Sequence, residues 1–156
     1  MYYNTQTDKL YDYALESDIV LQKLFHISTE KLDGKVLNPR VPTNSLVRDG
    51  FEEGKTKRVS LSTSIQGCLV GLSRNLKGME FYIYIPEKHI SKIKRPTINE
   101  VPDVNCTNEV WALESVPLKL YKKIQVTTAQ DNPLTYRLNE HEIETYKWNY
   151  KFIPIT

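Results

Sequence analysis

Cysteine and long apolar runs are scarce in this sequence, and each shortage excludes a class of protein. Only two cysteines occur among 156 residues, Cys68 on a predicted helix and Cys106 in a polar loop, so no disulfide framework can replace a hydrophobic core. No apolar run approaches the ~20 residues of a membrane-spanning helix, and no stretch resembles a signal peptide. A chain of this length can bury a sizeable core unaided, so we expect a soluble, cytoplasmic protein.

An excess of charge of one sign is also missing. The 21 basic side chains are nearly balanced by 19 acidic ones, which leaves a formal net charge of +2 and no strong field for duplex nucleic acid. The three histidines are widely separated and no cysteine pair has ligand spacing, so the sequence predicts no metal site. It also contains no glycine fingerprint of a phosphate-binding or dinucleotide-binding loop, and no Gly-x-Ser-x-Gly elbow of a serine hydrolase.

The most informative stretch is residues 58–76, which predicts a strand, a hydroxyl-rich corner and a helix. Ser60 and Ser62 alternate with two aliphatic residues, which is the period of a half-buried strand. Thr63 or Ser64 can cap the following helix by accepting from amides of its first turn. The helix has an apolar stripe at three- and four-residue spacing, formed by Ile65, Cys68, Leu69, Leu72 and Leu76. Hydroxyls gathered at such a corner suit a phosphate or a ribose, but they are equally typical of an ordinary strand-to-helix turn.

Alternating patterns elsewhere predict further strands. They cover residues 23–28, 79–85, 109–113, 120–127 and 145–152, and a short helix is predicted over 10–22. The helix of the central stretch is expected to end at Lys77-Gly78, where the glycine can form a left-handed cap. Pro86 is expected to end one strand and Pro117 to interrupt another. Closely spaced turn signals predict a long irregular loop over residues 29–57.

The balance of these elements favours an α+β fold with one or two helices. The length favours a single domain over residues 1–156. Its core covers about 23–126, and 127–156 form a C-terminal strand extension. Four aromatic residues are predicted on one face of the last strand, namely Tyr146, Trp148, Tyr150 and Phe152.

Three polar points fall on separate predicted strands and are the candidate site residues. They are His26, the pair Ser60 and Ser62, and Glu109. Each has an ordinary structural interpretation: a strand histidine often forms a structural hydrogen bond, strand serines often face water, and a glutamate at a strand start is usually exposed.

The order and strand context of these residues resemble the ADP-ribosyltransferase superfamily. Leu24-Phe25-His26-Ile27-Ser28 is similar to the strand that supplies the ribose-binding histidine in the poly(ADP-ribose) polymerase-like branch, with Ile27 in place of the usual small residue. Residues 59–69 resemble the second motif, with a serine in place of the stacking tyrosine. Residues 108–113 resemble the third, in which a glutamate begins a strand. Ser62-Thr63-Ser64 is also similar to a motif of the arginine-first branch, which expects Glu-x-Glu where this chain has Glu109-Val110-Trp111.

The resemblance implies a split, strand-rich α+β cleft that holds NAD as substrate or ligand. Glu109 would be the catalytic residue, because a carboxylate can hold the ribose 2′-hydroxyl and stabilise the positive charge that develops as the nicotinamide–ribose bond breaks. His26 would contact the adenosine ribose, and Ser60 or Ser62 would orient the nicotinamide end. The other implied nucleotide-binding residues are Ser28, Thr63 and two arginines for the pyrophosphate, Arg40 and Arg58.

Three functions remain open at this point. The first is an enzyme that transfers ADP-ribose from NAD to a protein or nucleic acid, or that cleaves NAD. The second is a non-catalytic module that sequesters a cyclic ADP-ribose or cyclic-nucleotide immune signal. The chain is small and rich in tyrosine and asparagine, and in this it is similar to bacteriophage or mobile-element products. Such a product would act in the host cytoplasm, where a host protein could be its target. The third is a protein-interaction domain that pairs through its aromatic tail strand.

Overall fold

The computed structural model describes residues 3–4, 9–10, 24–32 and 34–155, and strands predominate in them. The strands are β1 (Tyr3–Asn4), β2 (Lys9–Leu10), β3 (His26–Ser28), β4 (Val36–Leu37), β5 (Val59–Ser62), β6 (Glu80–Pro86), β7 (Ile93–Lys94), β8 (Glu109–Ala112), β9 (Val116–Ala129), β10 (Leu134–Leu138), β11 (His141–Thr145) and β12 (Trp148–Ile153). The helices of the described part are α1 (Ser45–Arg48), α2 (Ile65–Val70) and α3 (Val104–Thr107). The helix predicted over residues 10–22 lies outside the described residues except for Leu10, which ends β2.

Two antiparallel sheets contain most of the strand residues in the described part of the chain. In the first, the strand order is β12-β9-β6-β3, with β4 also paired to β9; in the second it is β5-β8-β7. The sheets meet where Phe25, just before β3, exchanges backbone hydrogen bonds of 2.7 and 3.0 Å with Ser62 at the end of β5. The strand-rich class with few helices is therefore confirmed, and the split ADP-ribosyltransferase-like fold stays a prediction.

The core lies on both faces of the first sheet because its strands alternate. Phe81 and Ile83 of β6 point to one face and pack with Leu69 of α2, as the alternation predicted. Tyr84 points to the other face, where apolar residues of the second sheet, such as Leu61, close the core between the two sheets. β6 is thus held between α2 on one side and apolar residues of the second sheet on the other.

The central stretch folds largely as predicted, but its helix is shorter. Ser64 caps α2, because its Oγ accepts from the amide of Gly67 at 2.9 Å. The expected end at Lys77-Gly78 is wrong, since α2 ends at Val70. Ser73 has a left-handed backbone with φ of 50°, which an α-helix cannot continue, and Gly78, with φ of 81°, instead forms the turn into β6.

The prediction that Pro117 interrupts a strand is wrong. Pro117 is the second residue of β9, at a position where the strand pairing does not use a backbone N–H. Its carbonyl accepts from the amide of Glu87, and the amide of Leu118 donates to the carbonyl of Lys35. Pro86 does end β6.

Several short elements were not predicted. β4 and α1 lie inside the loop expected over residues 29–57, β7 and α3 lie between β6 and β8, and β10 and β11 form a hairpin. Cys106 is buried on α3 rather than placed in a polar loop. The two-residue strands and four-residue helices are too short for a pattern to identify, whereas β10 and β11 were missed although five alternating residues form each. None of the described helices is long and apolar enough to cross a membrane.

Candidate functional site

Glu109 and the two strand serines share one face of the second sheet. Strands β5 and β8 pair so that Ser62 lies opposite Glu109 and Ser60 opposite Trp111. Asn108 ends α3 with a left-handed backbone, φ of 54°, and this turn sets Glu109 at the start of β8. The opposite face of both strands is apolar and belongs to the core, so the pleat itself directs the polar residues outward.

The three residues line a cavity of about 330 Å³ together with residues of β3 and α2. Six of the predicted site residues line it, although they come from four separate segments of the chain: His26, Arg40, Arg58, Ser60, Ser62 and Glu109. Ser28 and Thr63 do not line it. The hydroxyl of Ser28 accepts from the amide of Glu30, and the amide of Thr63 donates to Asn108.

His26 reaches the cavity from β3, opposite Tyr84 of β6. Burial and the nearby charge of Lys35 lower the pKa of His26 from 6.5 to about 4. The imidazole is therefore neutral at pH 7. In that state one ring nitrogen donates and the other accepts, which suits the hydroxyls of a ribose.

Glu109 is held through a single oxygen. Its Oε2 accepts from Trp111 Nε1 at 2.6 Å and from Ser60 Oγ at 3.3 Å, whereas Oε1 accepts from none of the described residues. Loss of solvent around the carboxylate raises its pKa to about 7. The neighbouring acids Glu52 and Asp103 also raise this pKa, whereas the hydrogen bond from Trp111 lowers it. Glu109 can thus exist in both protonation states near neutral pH.

The two arginines of the site differ in what they already bind. Arg58 is fully buried: its guanidinium forms a 2.9 Å ion pair with Glu52, donates to Thr56 O, and stacks over the ring of Trp111 at 4.2 Å. Its Nε is buried and has no hydrogen-bond partner among the residues that the structure describes. Arg40 is exposed at the rim, and among the described residues its side chain forms no ion pair. Arg40 is therefore the freer of the two for an anionic ligand.

The hydroxyl-rich corner serves structure more than binding. The Ser62 hydroxyl donates to Thr107 O at 2.6 Å and accepts from the amide of Ser64. The amides of Thr63, Ser64 and Gly67 all have acceptors, so they are not available to a phosphate. The exposed hydroxyl of Ser60 is the serine group left facing the cavity.

Sequence reasoning missed Trp111, which contacts two of the site residues, Glu109 and Arg58. It is fully buried, holds Glu109 through its indole nitrogen and carries Arg58 on its ring. The sequence did contain a signal for it, because Trp111 lies two residues after Glu109 and residues at that spacing on a strand share a face. Other cavity residues, among them Asn38, Asn44, Glu52 and Cys68, carry no motif that points to them.

No protein-family model, no curated protein and no solved structure matches the chain. Within the described ranges, no three His, Cys, Asp or Glu side chains form a group that could hold a metal ion. The site must therefore be judged on its own geometry.

Proposed function

We propose that the chain binds NAD or a related ADP-ribosyl nucleotide in the cavity lined by β3, β5 and α2. One observation carries the proposal: His26, Ser60 and Glu109, from three distant segments of the chain, line the same cavity. Its volume of about 330 Å³ lies at the lower end of the range for small-molecule sites. It suits the nicotinamide and ribose end of a dinucleotide, while the exposed rim around Arg40 leaves room for the pyrophosphate.

We further propose that Glu109 promotes cleavage of the nicotinamide–ribose bond. Its Oε1, which accepts from none of the described residues, would accept from the ribose 2′-hydroxyl, while Trp111 and Ser60 fix Oε2. As nicotinamide leaves with the electron pair of the C–N bond, positive charge develops on the ribose carbon, and an ionised carboxylate beside it lowers the barrier. Neutral His26 would bind a ribose hydroxyl, and Arg40 would pair with the pyrophosphate.

A non-catalytic binding module is the second candidate. Ile27, which stands where the resemblance expects a small residue, lines the cavity and reduces the space near His26. A Glu109 pKa of about 7 also leaves part of the carboxyl groups protonated at neutral pH, which weakens stabilisation of a cation. Both features favour a protein that captures an ADP-ribose-like or cyclic nucleotide without turning it over.

Calorimetry combined with a nicotinamide-release assay separates these candidates. NAD, ADP-ribose, cyclic ADP-ribose and cyclic nucleotides are titrated into the purified protein, and nicotinamide is measured after incubation with NAD. NAD binding with release supports the enzyme. Binding of any of these nucleotides without release supports the capture module. If none of the nucleotides binds, the nucleotide proposal is wrong and the protein-interaction domain becomes the better account.

A further inference from the structure

A band of aromatic side chains crosses one face of the first sheet. Phe25 contacts Tyr121 of β9 with ring centroids 6.1 Å apart, and Tyr150 contacts Phe152 of β12 at the same distance. Lys122 joins the two pairs, because its Nζ lies 5.7 Å from the ring of Tyr121 and 5.9 Å from that of Phe152. These five residues are called the aromatic band below.

Part of the band is open to solvent. Tyr121 is 43% exposed and Phe152 is 58% exposed, values high for such large rings. Phe152 pairs with Ile124, whose side chain belongs to the core beneath α2, so both lie on the same face of the sheet. α2 is fixed by reciprocal hydrogen bonds between Gln66 and Trp148 at the start of β12. The other end of β12, with Phe152, extends past this cover.

We propose that the aromatic band binds single-stranded nucleic acid. Exposed rings on a sheet provide faces on which unpaired bases stack, and this requires no particular sequence. Lys122 lies between two such rings and forms no ion pair with any described residue, so its ammonium is placed to pair with a phosphate. A duplex keeps its bases stacked inside and cannot use the rings in this way.

Charge argues against the other occupants of such a face. An apolar peptide laid over the band would bury the Lys122 ammonium without a counter-charge, which is costly. A second copy of the chain, docked band to band about a two-fold axis, would bring two Lys122 side chains together. A strand of nucleic acid supplies both a stacking partner for the rings and an anion for the lysine.

Fluorescence anisotropy with labelled oligonucleotides tests the proposal without NAD. Phe25 of the band also lines the cavity, so the ring variants are made at Tyr121 and Phe152, which do not line it. The probes are single-stranded DNA and RNA of about 12 nucleotides, within the site sizes of single-strand-binding modules. We expect Tyr121→Ala and Phe152→Ala each to weaken binding at least about fivefold, the loss of one stacked base. Tyr146→Ala is the matched control, because Tyr146 is 47% exposed and lies off the band.

Salt dependence tests the lysine separately. Lys122→Gln should reduce the slope of log affinity against log salt by about 0.7, the value for one phosphate contact on a single strand. Lys88→Gln, at an exposed position after β6, should leave it unchanged. Thermal unfolding of each variant shows that the fold is retained.

Three results would overturn the proposal. The first is no binding at about 100 µM protein, the weak limit of ordinary non-specific binding. The second is equal affinity of wild type and both ring variants, or of duplex and single strand. The third is a concentration-dependent dimer in sedimentation that Phe152→Ala abolishes, which would assign the band to a second copy of the chain.

Discussion

The indole Nε1 of Trp111 donates a 2.6 Å hydrogen bond to Oε2 of Glu109, two residues earlier on the same strand. The same indole ring lies 4.2 Å beneath the guanidinium of Arg58, which in turn pairs with Glu52. One buried aromatic residue therefore orients the carboxylate of the cavity and supports its buried cation. The fold itself therefore holds the carboxylate in place, as the electrostatic role proposed for it requires.

Glu109→Gln should reduce nicotinamide release from NAD by about a hundredfold to a thousandfold, the usual effect of removing one transition-state electrostatic contact. The amide keeps the shape of the side chain and can still accept from Trp111, so NAD affinity should change little. Glu142→Gln, an exposed substitution on β11, is the matched control. Equal release by wild type and Glu109→Gln would remove Glu109 from the mechanism.

The same substitution should change the pH dependence of stability. The pKa of Glu109 is raised from 4.5 to about 7 in the fold, so the folded state favours the protonated acid. Below pH 4.5 the Glu109 carboxyl is protonated in both the folded and the unfolded chain, and its contribution to folding stability is fully present. It is lost as the pH rises from 4.5 through 7, and the carboxylate then costs the fold about 3 kcal/mol.

Glu109→Gln lacks this titration. The free energy of unfolding of the variant should therefore match that of wild type near pH 4.5 and exceed it by up to about 3 kcal/mol at pH 8. His26, whose pKa is lowered to about 4, titrates in both proteins and largely cancels in the comparison. Urea unfolding at both pH values measures the difference, and a constant difference between the two proteins would show that the Glu109 pKa is not raised.

Gly67 should tolerate no side chain, because it lies at the closest approach of α2 to α3. A Cβ there would overlap the carbonyl oxygen of Thr107 and the hydroxyl of Ser62. We expect Gly67→Ala to lower the free energy of unfolding by about 1–3 kcal/mol, the usual cost of overpacking. A Cβ at Gly71 would have only ordinary contacts, from 3.5 Å, so Gly71→Ala should be neutral or slightly stabilising. Similar losses for both variants would contradict the close packing.

The sequence predicted β6, most of β12 and the second half of β9, because alternation along a strand is a local pattern. Alternation identified β6 and β8 as strands, and the pairing of β8 with β5 then places Glu109 opposite Ser62. What local patterns could not show was how the hydroxyls would be used. Ser60 and Ser62 are equivalent in the strand pattern, and only the approach of Thr107 from α3 makes Ser62 structural. In the sequence, Arg58 resembles any arginine that a ligand could use. Only the fold shows that Glu52 and Trp111 already contact it.

Arg40 and Arg58 should separate binding from stability. Arg40 is exposed at the cavity rim, so Arg40→Gln should weaken NAD binding about tenfold or more, the worth of a charged hydrogen bond, and leave the free energy of unfolding nearly unchanged. Arg58→Met leaves Glu52 buried without its cation and should cost about 3–5 kcal/mol of stability. The double variant Arg58→Met/Glu52→Met should recover part of that loss, because it removes both charges. Urea unfolding and calorimetry measure the two properties. Full NAD affinity in Arg40→Gln, with lost affinity in a folded Arg58→Met protein, would assign the pyrophosphate to Arg58 instead.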